Sequence, residues 1–210
     1  MNKNNELNEL FEEWKEKHKE EPYNSDTIPV KRIDKKSFTF DGFIFGEKTG
    51  AVLYILDESN LQESSKETND FFWLKGAYKV KNNINKNPIP RRIEKMQKRI
   101  CEQIKEIDLQ DIAYMNINKR GGFGSRDDKT LWNYYNKYNT FIFREINIIS
   151  PKIIVYCAGN QEIYSDLIEH KKELKCNYIL NMSHPSSRNT DDKYMEEFEN
   201  EVIRNGLMQK

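Results

Sequence analysis

Val52-Leu53-Tyr54-Ile55-Leu56 runs without a break into Asp57-Glu58-Ser59-Asn60. A short, wholly apolar run rich in β-branched and aromatic residues, closed by polar ones, reads as a strand buried on both faces. Ile112-Ala113-Tyr114-Met115 has the same form and runs into Asn116-Ile117-Asn118-Lys119. So does the stretch from Asn177 to Met182, which leads to His184-Pro185-Ser186-Ser187-Arg188-Asn189. A fourth strand is predicted from Lys152 to Ala158, turning at Gly159-Asn160. In open parallel sheets, chemistry gathers at the carboxyl ends of strands. If these segments are parallel neighbours, a carboxylate, an amide and an imidazole meet at one crevice.

Helical patterns separate the strands. Leu7, Leu10, Phe11, Trp14 and His18 predict an amphipathic first helix, with Pro22 to Pro29 crossing from it to the body. Ile93, Met96, Ile100, Ile104 and Ile107 mark a second. Trp132, Tyr135, Tyr138, Ile142, Ile146 and Ile149 mark a third, closed near Ser150-Pro151. Another is expected from Gly159-Asn160 to about Lys172, and the last from Asp191 to Arg204, with Gly206 as a stop. Phe38 to Gly46 reads as a β-segment able to cover the sheet edge, and Gly121 to Ser125 as a flexible loop. This alternation predicts an α/β class, a three-layer α/β/α arrangement around a central, mainly parallel four-stranded sheet. Residues 1–30 are read as an N-terminal helix and linker, and 31–210 as a single domain.

The 210 residues are 37% hydrophobic and 32% charged with no formal net charge, so overall balance gives no prior for nucleic acid. The charge is unevenly placed. Residues 75–105 hold ten Lys or Arg against two acids, whereas residues 1–30 hold eight acids and four Lys. One basic face for a polyanion follows as an expectation. Cys101, Cys157 and Cys176 form no Cys-x-x-Cys pair and predict a reducing compartment without a structural metal or iron–sulfur cluster. His18, His170 and His184 lack metal-ligand spacing. With no run of 18 apolar residues and no apolar leader after Met1, the expectation is a cytoplasmic, monomeric protein with no membrane partner and no cofactor.

Taken in order, the strand ends resemble the uracil-DNA glycosylase superfamily, over about residues 50 to 195. Asp57-Glu58-Ser59-Asn60 stands where the family closes its first core strand with an acidic or polar pair. Phe71, thirteen residues after Glu58, stands where the family has a base-stacking aromatic, with Phe72 and Trp73 as neighbouring alternatives. The family's Asn at the end of the second strand falls on Asn116. A Glu-Ile-x-x-Ile-x-Pro-Lys-Ile-Ile-Val pattern matches Glu145 to Val155, and His-Pro-Ser is literal at His184-Pro185-Ser186. The sequence departs from the family in lacking the proline and the glycine or tyrosine after the acid, and in placing Glu58 where a shorter Asp is usual.

The resemblance implies a DNA glycosylase that hydrolyses the N-glycosidic bond of uracil or another damaged or deaminated base, with DNA as partner. Glu58 is then the acid that positions water, with Asp57 the alternative. His184 donates to the base oxygen, while Asn116 and Phe71 read and stack the base. Ser59, Ser186 and Ser187 contact phosphates, and Arg188 wedges into the stack. The chemistry suits these residue types. Base excision leaves positive charge on the sugar and negative charge on the departing base, so a carboxylate and a fixed hydrogen-bond donor are what it needs. An amide offers the donor and acceptor that an imide edge requires, and the base must first leave the duplex.

Two rival classes remain open. One is a catalytically inactive DNA- or partner-binding protein that keeps the fold, favoured by the divergent first motif. The other is a hydrolase of free nucleotides. Phe45-Gly46-Glu47-Lys48-Thr49-Gly50 imitates the first family motif but leaves Val52 to Leu56 without a role. Gly121-Gly122-Phe123-Gly124 is not followed by the Lys of a phosphate loop, and no Ser occupies a Gly-x-Ser-x-Gly elbow.

Overall fold

The computed structural model describes residues 2–22, 26, 38–46, 50–60, 87–122 and 127–208, together with the backbone alone of 59, 60, 121 and 122. Its elements in chain order are α1 (Lys3–Lys19), β1 (Gly42–Phe43), β2 (Val52–Asn60), α2 (Pro88–Gln103), β3 (Ile112–Gly122), α3 (Asp128–Ile149), β4 (Ile153–Tyr156), α4 (Gln161–Glu169), β5 (Tyr178–Asn181) and α5 (Asp191–Arg204).

The sheet runs β1-β3-β2-β4-β5. β2 pairs in parallel with both β3 and β4, and β4 with β5, while β1 is antiparallel to β3. This corrects the expected four-stranded, mainly parallel sheet: there are five strands and the sheet is mixed. The fifth strand is only two residues long and closes an edge that β3 would otherwise leave unpaired. Gly42 sits opposite Tyr114 and Phe43 opposite Ala113, and Thr39 N–H continues the edge by donating to Lys119 O. Buried Phe38, Phe40 and Phe43 fasten the segment. Gly42 has φ +123°, and a Cβ there would lie 3.0 Å from Leu7 Cδ1, so glycine lets α1 lie over the strand.

Side chains alternate across the sheet. Leu53, Ile55, Ala113, Met115, Ile154 and Tyr156 pack with α1, α3 and α4, whereas Val52, Tyr54, Leu56, Tyr114, Val155 and Leu180 pack with α2 and α5. Helix α1 is part of this core, its Leu7, Phe11 and Trp14 lying in the same apolar cluster as the strands. Trp14 is fully buried among Phe38, Tyr134, Tyr138 and Phe141.

β3 continues to Gly122, so Gly121 and Gly122 are strand rather than the expected flexible loop. Charged Lys119 and Arg120 are both fully buried there. Lys119 Nζ lies 2.5 Å from Asp41 Oδ2 and 2.8 Å from Glu145 Oε2. Arg120 lies 2.5 Å from Glu21 Oε2, which ties the end of α1 to β3. Among the described residues no helix is long and apolar enough to cross a membrane.

Candidate active site

Strand order reverses direction about β2: the chain steps from β2 outward to β3, then crosses back to β4 on the other side. The carboxyl ends of β2 and β4 therefore flank the switch point where open α/β sheets place their ligands. Asp57 and Glu58 lie at this end of β2. β4 stops at Tyr156, and Gly159, at φ 72°, turns the chain away into α4. His184, from the segment after β5, lies across that end with its Nε2 3.3 Å from Asp57 Oδ1. Side-chain exposures of 21% for His184 and 14% for Asp57 leave the pair partly open to solvent.

The imidazole is oriented from its other side. Ser186 N–H donates to His184 Nδ1 at 3.2 Å, and Ser186 Oγ lies 2.7 Å from the same nitrogen. A backbone N–H can only donate, so Nδ1 carries the lone pair and the neutral ring holds its proton on Nε2, facing Asp57. Asp57 Oδ1 is itself held by a 2.8 Å hydrogen bond from Glu58 N–H.

The turn from Ser183 to Asn189 is clamped by α2 and α5. Buried Arg92 donates to Pro185 O, Ser187 O, Ser187 Oγ, Asn189 O and Asp191 Oδ1. Tyr194 Oη donates to Ser183 O at 2.9 Å, and Ser183 N–H donates to Glu197 Oε1 at 2.7 Å. Hydrogen bonds from Arg91, with further ones from Lys95 and Arg92, hold the Asp191 carboxyl well below the usual carboxylate range.

Among the residues singled out from sequence, Asp57, His184 and Ser186 therefore come together. Glu58 is half-buried beside them, but alternation along β2 points it to the opposite face from Asp57. Asn116 does not join them. It is buried, its backbone N–H donating to Asp41 Oδ2 at 2.6 Å and its Nδ2 to Asp41 Oδ1 at 3.2 Å. That amide closes the sheet edge. Ser187 is engaged by Arg92, and Arg188 is exposed. Phe71, and with it Phe72 and Trp73, lies outside the described residues, as does the side chain of Ser59.

Sequence reasoning missed Asn118 and Arg92. Asn118 is the register partner of Glu58, fully buried, with Oδ1 accepting from Arg120 N–H at 3.0 Å and Nδ2 without a hydrogen-bond partner among the described residues. Its signal in the sequence is a second amide two residues after Asn116, on the same face of β3. Arg92 was counted within a basic stretch. Apart from exposed Lys105, the described cations of that stretch pair within the chain: Arg91, Arg92 and Lys95 with Asp191, Lys98 with Glu94, and Arg99 with Glu102 and Glu199.

Among the described residues no group of three or more His, Cys, Asp or Glu is placed to hold a metal ion, and Cys101, Cys157 and Cys176 are free thiols. Neither protein-family models nor characterised proteins return a match to this chain.

Proposed function

We propose that the chain is a divergent relative of the uracil-DNA glycosylase superfamily that hydrolyses the N-glycosidic bond of uracil or another deaminated or damaged base in DNA. The observation that carries this reading is the Asp57–His184 pair beside the switch point of the sheet, with the imidazole proton fixed on Nε2. A base oxygen entering beside the pair takes the Nε2 hydrogen bond, so the donor meets the atom that gathers the electron pair of the breaking C–N bond. Asp57 faces the sugar, stabilises its positive charge and accepts a proton from the attacking water. The base leaves as its anion and is protonated by solvent. A preorganised donor of this kind contributes roughly 3–4 kcal/mol to transition-state stabilisation. Asp57 takes the leading place among the acids because it is the carboxylate that meets His184.

One observation favours a second reading, a protein that binds DNA or another partner without cleaving it: the Asn116 amide is committed to Asp41. A panel of oligonucleotides, each carrying one modified base, incubated with excess protein and then treated with alkali, separates the two. Strand scission at one modified base supports the glycosylase. Tight binding without scission supports the second reading, and neither binding nor scission contradicts both.

A further inference from the structure

One peptide unit joins the buried arginine of α2 to the imidazole of His184. Pro185 O accepts from Arg92 Nη1 at 2.9 Å, while the N–H of the same peptide, belonging to Ser186, donates to His184 Nδ1 at 3.2 Å. This peptide is trans, and in a planar trans unit the C=O and N–H point in opposite directions. A donor that fixes the carbonyl thereby fixes the amide hydrogen. Arg92 grips the next units as well, through Ser187 O and Asn189 O, and Ser187 N–H donates back to His184 O at 2.8 Å. The carbonyls of Pro185, Ser187 and Asn189 face the guanidinium, while the Ser186 amide faces the imidazole.

The guanidinium is held in its turn. Its Cζ lies 4.5 Å from the centroid of the Tyr194 ring, whose hydroxyl fixes Ser183 just before the histidine, and its Nε is anchored by Asp191 at 3.1 Å. Arg92 is 3% exposed and so cannot meet a phosphate without leaving the loop. A guanidinium suits the place because five N–H donors in a rigid plane can serve several carbonyls at once, which an ammonium on a flexible stem cannot.

We propose that Arg92 is a positioning residue that sets the tautomer and orientation of His184 by holding the Pro185–Ser186 peptide. The proposal gives Arg92 a role in the hydrolysis read above, but its structural content stands apart from that reaction.

The test is the ring-nitrogen NMR signature of His184 in the full chain, at a pH where the imidazole is neutral. With only three histidines, His184→Ala assigns the signals, and His18 in the core reports that the fold is intact. The wild type is expected to show a dominant Nε2–H tautomer. In Arg92→Met the ratio of Nε2–H to Nδ1–H is expected to fall about tenfold, the equivalent of one hydrogen bond. Arg92→Lys should recover part of it, and Arg99→Ala on the same helix should leave it unchanged. A folded Arg92→Met protein with the wild-type ratio would overturn the proposal. If Arg92→Met does not fold, an unchanged ratio in Arg92→Lys would do the same. Where base release is measurable, Arg92→Met should lower kcat with KM little altered. Failure of the wild type to release any base would count against the hydrolytic reading and leave the tautomer result to decide the role of Arg92.

Discussion

His184 Nε2 and Asp57 Oδ1 stand 3.3 Å apart across the end of β4, although neither residue belongs to that strand. The contact forms because β4 ends early while β2 continues and the segment after β5 folds back under Arg92 and Tyr194. It places a fixed donor and a carboxylate at one point beside the switch point of the sheet. That is the arrangement on which the functional reading rests.

The two amides of β3 should act on stability rather than on base release. Asn116→Ala removes a buried donor to Asp41, and a loss of about 1–3 kcal/mol in urea unfolding is expected, with base release by the remaining folded protein near wild type. Asn118→Ala removes a buried acceptor from Arg120 N–H, and a loss of the same order is expected, again with base release by the folded protein near wild type.

Lys119 serves two buried carboxyls, and removing it should be severe. Burial pushes both Asp41 and Glu145 up, and the ammonium pulls them back down. The Lys119 ammonium is itself opposed by burial, yet the two carboxyls raise it above the ordinary lysine value. Lys119→Met leaves both acids without their cation at the β3 edge, at an expected cost of about 3–5 kcal/mol, read as a lowered urea midpoint.

Stability against pH should show two opposed contributions. Burial, with the like charge of Asp41, raises Glu145 from 4.5 to about 7, so its contribution is full below 4.5 and is lost as pH rises through 7. Burial, then Arg120, Lys119 and Lys137, lowers His18 from 6.5 to about 2, so its contribution is full above 6.5 and is lost as pH falls toward 2. Between pH 4.5 and 6.5 the two slopes oppose, each up to about 1.4 kcal/mol per pH unit. Urea midpoints across this window should vary little in the wild type. In His18→Phe they should fall with rising pH, and in Glu145→Gln they should rise.

Much of this architecture was legible as local pattern. The apolar runs of β2, β4 and β5 and the helical faces of α1, α3 and α5 are buried as their periodicity implies. What stayed hidden depends on partners distant in sequence. Lys119 and Arg120 read as loop residues until Asp41, Glu145 and Glu21 bury them. The β-segment read over Phe38 to Gly46 does cover the sheet edge, but only Gly42 and Phe43 are strand, a limit set by their pairing with Tyr114 and Ala113. His184 and Asp57 could be placed at strand ends from sequence. Which of the adjacent acids meets the imidazole follows from side-chain alternation and the early end of β4. Arg92 looked like surface charge because nothing local tells an arginine that binds carbonyls from one that binds phosphate.

The most direct test is single-turnover base release from the oligonucleotide that the panel selects, comparing wild type with Asp57→Asn and His184→Ala, each checked for a wild-type circular dichroism spectrum. The account predicts release by the wild type and a fall of about 10²–10³-fold in His184→Ala, with a loss at least as large in Asp57→Asn. Wild-type rates in either folded variant, or no release from any modified base by the wild type, would contradict it.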